Sequence, residues 1–242
     1  MAIQPTLAHP SHLNPYARYS NKEWRHEMKK SLTGPSGFTL FKYCIYAISF
    51  AYIEIVYYSY RFFKGENKKR ALFNQVIKTH QASNTALFLG SIPVRKRVFS
   101  SRNDVTNLRQ NHNIQAVLSV VERFENNARG LFTTPTPPTD WKKHKVKQLQ
   151  LPTRDGFPVD VDLVEKGVEF IHWNLKNHRS VYVHCKAGQE RSGITVLCYL
   201  IKYQKMSVQQ ALAFLKEQRP QLNLNKKKLR TAYAFEKRLR RS

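Results

Sequence analysis

Acidic residues are scarce in this sequence. Against 41 lysines and arginines stand only 16 aspartates and glutamates, which gives a formal net charge of +25. So large an excess implies an acidic partner, and three kinds fit: an anionic membrane, a nucleic acid or a polyphosphorylated substrate. Charge alone does not choose among them.

Cysteine is also scarce, and the sequence contains no internal repeat. Cys44, Cys185 and Cys198 are widely spaced and odd in number. They form neither a disulfide framework nor a CxxC metal pattern, so a reducing compartment fits them. The nine histidines are scattered, with no pair at zinc-ligand spacing beside a carboxylate or a second cysteine. The sequence therefore predicts no metal and no other cofactor.

The chain has 242 residues, enough for one ordinary domain and an extension. Residues 1–37 are polar, rich in proline and without a cleavable secretion signal, and are predicted to form a flexible leader. Residues 38–63 are mostly aromatic and aliphatic, long enough to span a bilayer, with tyrosines crowding one end like an interfacial belt. Because Glu54 would be costly near the bilayer centre, an interfacial helix and a helix packed on the domain stay open.

Basic residues flank the hydrophobic segment on both sides, and the cluster that follows it is the closer one. This predicts membrane association with the following domain on the cytoplasmic, reducing side. Residues 64–84 are predicted to be a basic helical linker, since Leu72, Val76 and Ile77 recur at helical spacing.

From residue 85 to 242 short apolar runs alternate with helical patterns. This predicts an α/β fold, a central and mainly parallel sheet flanked by helices. Strands are predicted at 86–89, 114–121, 146–151 and 181–183. Helices are predicted at 105–111, 160–176, 194–204, 207–217 (opened by Ser207 as N-cap) and 226–239, and a long loop at 122–145.

The stretch Val181–Gly193, VYVHCKAGQERSG, organises the domain. It predicts a strand, a tight loop and a helix N-terminus, with Cys185 at one end of the loop and Arg191 at the other. Backbone N–H groups and the positive end of the helix dipole then suit the loop to hold a tetrahedral oxyanion. The same field favours the thiolate of Cys185, which a nucleophile needs.

Hydrolysis of a phosphate ester through cysteine needs a thiolate, a cradle for three oxygens, a cation and an acid. Cys185 supplies the thiolate and Arg191 the bidentate cation. The acid is predicted to be Asp155, on a turn-rich loop, ahead of Asp160 and Asp162, which fit helix caps. The remaining candidates surround the nucleophile: Lys186, Ala187, Gly188, Gln189 and Glu190 in the cradle, Ser192 as a hydrogen-bond donor to the thiolate, and His184 either as a support for the loop or as a core histidine.

The pattern His-Cys, five residues, Arg-Ser resembles the signature of the dual-specificity branch of the protein tyrosine phosphatases. Within that branch the chain is similar to the mitochondrial-type phosphatidylglycerophosphate phosphatases, over about 85–235. The stretches that carry this likeness are Leu87–Arg95, Val121–Glu125, Trp141–Pro158 and Asp162–Phe170. The resemblance implies a phosphocysteine intermediate, no metal, and Asp155 at the general-acid position.

One departure concerns the substrate. The group usually carries a second arginine and a small residue where this chain has Gln189 and Glu190. We expect the Glu190 charge to disfavour substrates with clustered phosphates unless its carboxylate points away from the cradle.

The sequence thus predicts a phosphatase acting on a phospholipid headgroup, either phosphatidylglycerophosphate or a phosphoinositide, at an anionic membrane surface. Lys186 is predicted to add a second contact to the headgroup. The first alternative is a phosphatase of phosphoproteins. The second is a non-catalytic module that binds anions or nucleic acid; no nucleic-acid module is recognised, so a nucleic-acid partner is not expected. No pattern indicates an oligomeric state.

Overall fold

A computed structural model of the chain describes residues 71–78, 85–97, 104–126 and 133–241, together with Cys44 and Ile48, which are helical and exposed. The predicted leader, 1–37, and the rest of the predicted membrane helix, 38–63, lie outside these residues. Within the described ranges no helix combines the length and the apolar character needed to cross a bilayer.

The described ranges contain seven strands, six α-helices and one short 3-10 helix at Arg123–Asn126. The strands are β1 (Phe73–Lys78), β2 (Ala86–Gly90), β3 (Val94–Arg97), β4 (Ile114–Ser119), β5 (Thr133–Pro135), β6 (Lys147–Gln150) and β7 (Ser180–His184). The helices are α1 (Asp104–His112), α2 (Pro138–Lys143), α3 (Val161–Lys176), α4 (Arg191–Tyr203), α5 (Val208–Gln218) and α6 (Lys226–Leu239).

The main sheet has the strand order β1, β2, β7, β4, β6. Strands β2, β7, β4 and β6 run parallel, and β1 pairs antiparallel with β2 at one edge. This confirms the predicted mainly parallel sheet, while β3 and β5 form a separate antiparallel pair. Because β7 lies between β2 and β4, the loop that follows β7 emerges from the middle of the carboxyl edge, where open α/β sheets bind ligands.

Helices cover both faces of the sheet. On one face Phe88, Val117 and Tyr182 pack with Leu108 of α1 and Trp141 of α2. On the other face α3 and α4 lie so close to the strands that a Cβ on Gly167 would meet Thr195 and Leu118. Every residue of β2 and β7 is buried, as expected for parallel strands covered on both sides.

The helix starts agree closely with the sequence. Asp160 caps α3 by accepting hydrogen bonds from the backbone N–H groups of Asp162 and Leu163. Ser207 caps α5 in a reciprocal capping box with Gln210. Asp160 was therefore correctly predicted as a cap rather than as a site residue.

Two sequence expectations are wrong. The basic helical linker predicted over 64–84 contains strand β1, which joins the sheet upstream of the predicted domain start at residue 85. A register shift between Gln75 and Ile77 interrupts the alternation of apolar and polar side chains along this strand. The spacing of its apolar residues therefore resembles that of a helix. The predicted loop 122–145 contains the 3-10 helix, β5 and α2.

Candidate active site

The loop between β7 and α4 begins at Cys185 and ends where Arg191 opens the helix. Gly188 adopts the left-handed conformation, with φ of 67°. A side chain there would also collide with the carbonyl group of Gly90 at the end of β2. Glycine is therefore required at this position both by the backbone turn and by close packing against the sheet.

The thiol of Cys185 is buried and surrounded by hydrogen-bond donors. The Ser192 hydroxyl donates to Sγ over 3.2 Å, and the backbone N–H groups of Ser192 and Glu190 also donate to the sulfur. Burial raises the pKa of the thiol, but the Arg191 charge and these hydrogen bonds outweigh it, so the pKa of Cys185 is lowered. The site thus favours the thiolate.

Arg191 is held in a buried ion pair with Glu125. Its Nη1 lies 2.6 Å from Oε2 and its Nη2 lies 3.1 Å from Oε1. The two side chains are only 2% and 1% exposed. Burial opposes the charge on Arg191, yet the hydrogen bonds and charge of Glu125 and the charge of Cys185 raise its pKa. The guanidinium is therefore a fixed, permanent cation beside the sulfur.

Asp155 lies on the loop between β6 and α3. Its Oδ1 is 3.1 Å from Arg191 Nη2, while the carboxylate remains 54% exposed. The same loop contributes the Thr153 carbonyl, which accepts a hydrogen bond from Arg191 Nη1 over 3.0 Å. The structure therefore brings Asp155 to Arg191, which lies 36 positions further along the chain.

His184 is buried beneath the loop. Its Nδ1 lies 3.3 Å from the Cys185 carbonyl and its Nε2 lies 2.7 Å from the Ser119 hydroxyl. Because a carbonyl only accepts, this pattern assigns the proton to Nδ1 and leaves Nε2 to accept from Ser119. Burial lowers the pKa of His184 to about 4, so the ring is neutral near pH 7. These contacts tie the start of the loop to the end of β4.

The carboxylate of Glu190 has its partners outside the loop. It forms an ion pair with Lys228 of α6 and accepts a hydrogen bond from the Asn223 amide over 3.4 Å. The Gln189 carbonyl accepts from the backbone N–H of Asn223 over 3.1 Å. The Glu190 charge is thus paired with a cation, which weakens the repulsion of clustered phosphates that the sequence leads us to expect.

Lys186 is buried directly after the nucleophile position. Burial lowers the pKa of its ammonium, and the nearby carboxylates of Asp155 and Glu125 act in the opposite direction. Among the described residues no group of three His, Cys, Asp or Glu side chains is arranged to hold a metal ion.

The comparison with protein families agrees with this geometry. Residues 98–238, more than half of the chain, match the family described as "Dual specificity phosphatase, catalytic domain". The chain belongs to the dual specificity phosphatases. This confirms the family resemblance found in the sequence.

The relatives of this dual specificity phosphatase domain include phosphatidylglycerophosphate phosphatases. It is 33% identical over 141 residues to "Phosphatidylglycerophosphate phosphatase PTPMT2" of Arabidopsis thaliana, covering 57% of this chain and 54% of the relative. It is 32% identical over 162 residues to "Phosphatidylglycerophosphatase and protein-tyrosine phosphatase 1" of Homo sapiens, covering 66% of this chain and 74% of the relative. The match thus spans about half the length of the Arabidopsis protein.

One solved structure resembles the dual specificity phosphatase domain, and the match covers nearly the whole length of the solved chain. It is the crystal structure of PTPMT1 in complex with PI(5)P, with a TM-score of 0.59 and 26% sequence identity. The match covers 71% of this chain and 98% of that one. The α/β fold with a mixed sheet flanked by helices is therefore shared with that structure.

Two residues of this dual specificity phosphatase site were missed by reasoning from residue types. Glu125 was noticed only as part of a resembling stretch. Arg219, which follows α5, is 1% exposed and donates to the Gly188 carbonyl over 2.7 Å and to the Ala187 carbonyl over 3.3 Å. It also donates to the Asn74 side chain of β1 over 2.7 Å. Arg219 therefore clamps the back of the loop to the sheet edge.

Proposed function

We propose that this protein is a cysteine-dependent phosphatase that hydrolyses a phosphate monoester on a phospholipid headgroup. The observation that carries the chemistry is the buried Cys185 sulfur, which accepts hydrogen bonds at the start of a loop closed by the Glu125-bound guanidinium of Arg191. A low-pKa thiolate beside a fixed cation and converging N–H groups suits attack on phosphorus.

In the first step the Cys185 thiolate attacks phosphorus, so that an S–P bond forms and the P–O bond to the leaving group breaks. Arg191 and the N–H groups of residues 186–191 bind the three non-bridging oxygens as their charge rearranges. Asp155, in its protonated form, gives its proton to the leaving oxygen. Its contact with Arg191 supports this role because it holds the carboxyl group beside the phosphate position.

In the second step water attacks the phosphocysteine. Asp155, now a carboxylate, takes a proton from the water as the new P–O bond forms and the S–P bond breaks. Ser192 donates its hydrogen bond to the departing sulfur and stabilises the regenerated thiolate. The products are inorganic phosphate and the alcohol of the headgroup, and no metal is used.

Charge and relatives support a lipid substrate. The chain carries a formal net charge of +25. Seven of its cations are exposed on α6 and its C-terminal end: Lys226, Lys227, Arg230, Lys237, Arg238, Arg240 and Arg241. Two of these, Arg238 and Arg240, also form ion pairs. Such a surface suits an anionic bilayer. Two relatives are named for phosphatidylglycerophosphate hydrolysis, and the similar crystal structure contains PI(5)P.

The same proposal covers membrane attachment. Residues 38–63 serve as the hydrophobic anchor, and the phosphatase domain faces the reducing, cytoplasmic side. Lys186 adds a contact to the headgroup beside the phosphate. Pairing of Glu190 with Lys228 supports an anionic substrate, because it neutralises the acidic charge at the edge of the loop.

The test is a substrate panel on the purified full chain. We expect phosphatidylglycerophosphate or phosphatidylinositol 5-phosphate in vesicles to be hydrolysed faster than a phosphotyrosine peptide. Cys185→Ser should abolish hydrolysis of every phosphate ester, and activity surviving that change contradicts the mechanism. Faster hydrolysis of the peptide contradicts the lipid substrate.

A phosphoprotein substrate is the second candidate, since the human relative's name also includes protein-tyrosine phosphatase activity. Removal of residues 1–64 separates the two. The deletion should impair hydrolysis of a lipid in membranes far more than hydrolysis of a phosphopeptide in solution.

A further inference from the structure

The loop that carries Asp155 also presents an exposed aromatic ring. Phe157 is 52% exposed, and among the described residues only Ile48 and Tyr233 are also large, hydrophobic and exposed. Phe157 lies two residues from the carboxylate that contacts Arg191. An apolar ring is therefore held in solvent beside the cleft, where its burial would lower the free energy of the system.

The local backbone accounts for this exposure. Gly156 adopts the left-handed conformation, with φ of 75°, and a Cβ there would meet no atom within 4 Å. The left-handed backbone conformation therefore favours glycine at position 156, whereas a side chain there would meet no steric obstacle. The turn at Gly156 separates Asp155, which contacts Arg191, from Phe157, which faces solvent.

A cation accompanies the ring. The Arg154 guanidinium lies 4.3 Å from the ring centroid of Phe157, and both side chains are exposed. The far end of the same segment is tied to α6, because the Thr231 hydroxyl donates to the Val159 carbonyl over 2.8 Å. The C-terminal end of the loop is thus attached to the helix that carries many of the exposed cations.

We propose that Arg154 and Phe157 form a membrane-contact element that seats the cleft on an anionic phospholipid bilayer. The Phe157 ring enters the interfacial layer and the Arg154 guanidinium binds a lipid phosphate, since aromatic rings and snorkelling cations prefer this depth. The proposal rests on the proposed lipid substrate, because it places the general-acid loop at the surface from which that lipid is drawn. The positive charge of the domain favours a bilayer over an uncharged partner.

Insertion of the loop can be measured directly in the 242-residue chain. Phe157→Trp places a reporter at the tip of the loop. The variant is mixed with anionic vesicles whose acyl chains carry bromine, and the quenching of the wild-type tryptophans is subtracted. We expect strong remaining quenching, which reports position 157. The absence of remaining quenching overturns the membrane contact, whatever the enzyme hydrolyses.

Turnover supplies the second measurement. Phe157→Ser should lower hydrolysis of the lipid in vesicles about tenfold relative to a water-soluble aryl phosphate, and Phe157→Leu should retain most of it. An equal loss on both substrates assigns Phe157 a structural role and overturns the proposal. A larger loss on a phosphotyrosine peptide assigns the ring to a peptide and also overturns it.

The two proposals fail in different ways. If wild-type protein hydrolyses the aryl phosphate but no lipid, either in vesicles or dispersed in detergent, the lipid substrate is wrong. If lipid in both forms is hydrolysed at rates that Phe157→Ser does not change, the lipid substrate stands and the membrane contact is wrong.

Discussion

Replacement of Glu125 by glutamine tests whether the buried ion pair with Arg191 is what holds the cation in the site. The carboxylate accepts from both terminal nitrogens of Arg191 and, over 2.7 Å, from the backbone N–H of Glu122. Glutamine has nearly the same shape but loses the charge. Its amide nitrogen replaces one of the two accepting oxygens. Because an amide nitrogen only donates, one N–H donor of Arg191 or Glu122 then loses its acceptor.

The expected magnitude follows from the burial of the pair. Removal of one partner from a buried ion pair costs about 3–5 kcal/mol when the other charge is left uncompensated. Here the exposed Asp155 carboxylate still lies 3.1 Å from Arg191, which favours the lower end of this range. The remaining glutamine oxygen restores one hydrogen bond worth about 1 kcal/mol. We therefore expect Glu125→Gln to lower the free energy of unfolding by about 2–4 kcal/mol. Because Arg191 is then less well positioned, kcat should fall about a hundredfold.

Two measurements check this prediction. Urea unfolding followed by circular dichroism gives the change in stability, and steady-state turnover of a soluble aryl phosphate gives the change in kcat. Replacement of both partners, by Glu125→Gln with Arg191→Met, provides the control, since it leaves no unpaired buried charge. The double variant should be less destabilised than the sum of the two single variants.

The reasoning is refuted if Glu125→Gln unfolds within about 0.5 kcal/mol of wild type and keeps kcat within about twofold, because changes that small are typical of a surface position. Additive effects in the double variant would show that the two side chains do not act as a pair.

Three further predictions concern the loop and its edge. Ser192→Ala removes a hydrogen bond that lowers the pKa of Cys185, so the acid limb of the kcat/KM profile should move to higher pH; an unmoved limb contradicts the role of Ser192. Arg219→Leu leaves loop carbonyls without their donor and should destabilise the fold by about 3 kcal/mol in urea, with Arg219→Lys intermediate; equal effects of the two changes refute a fork-shaped clamp. Lys228→Met frees the Glu190 charge and should raise KM for an anionic lipid by up to about fivefold with kcat unchanged; an unchanged KM shows that the pair does not affect binding.

Local sequence patterns predicted most of the fold. The fully buried runs of β2 and β7 and the capped helices α3, α5 and α6 were found because each is specified within a dozen residues. Strand β1 was mistaken for a helix because it lies at the sheet edge and carries a register shift. Pairing with β2, which no local pattern shows, decides its conformation.

The residues of the candidate site likewise include some that a local motif predicts and some that it does not. Cys185, Arg191 and Ser192 fall in one continuous motif, and Asp155 was found because its loop has a recognisable turn composition. The partners that hold this motif come from remote segments: Glu125 is 66 positions from Arg191, and the Arg219 guanidinium is 31 positions from the carbonyl it clamps. Glutamate and arginine are mostly exposed in proteins, so the sequence alone gives no sign that Glu125 and Arg219 are buried. Their partners become adjacent only in the folded chain.

The packing of Gly188 against Gly90, with Arg219 clamping the loop from behind, limits how the substrate preference of the proposed phosphatase can change. The loop loses its conformational entropy during folding. Binding of a phosphoryl group therefore costs little further conformational entropy in the loop. A template fixed in this way offers the same oxygen cradle to every phosphate ester. Discrimination between substrates must then arise at the periphery, at Glu190 and at the tip of the Asp155 loop, where side chains can change without disturbing the cradle.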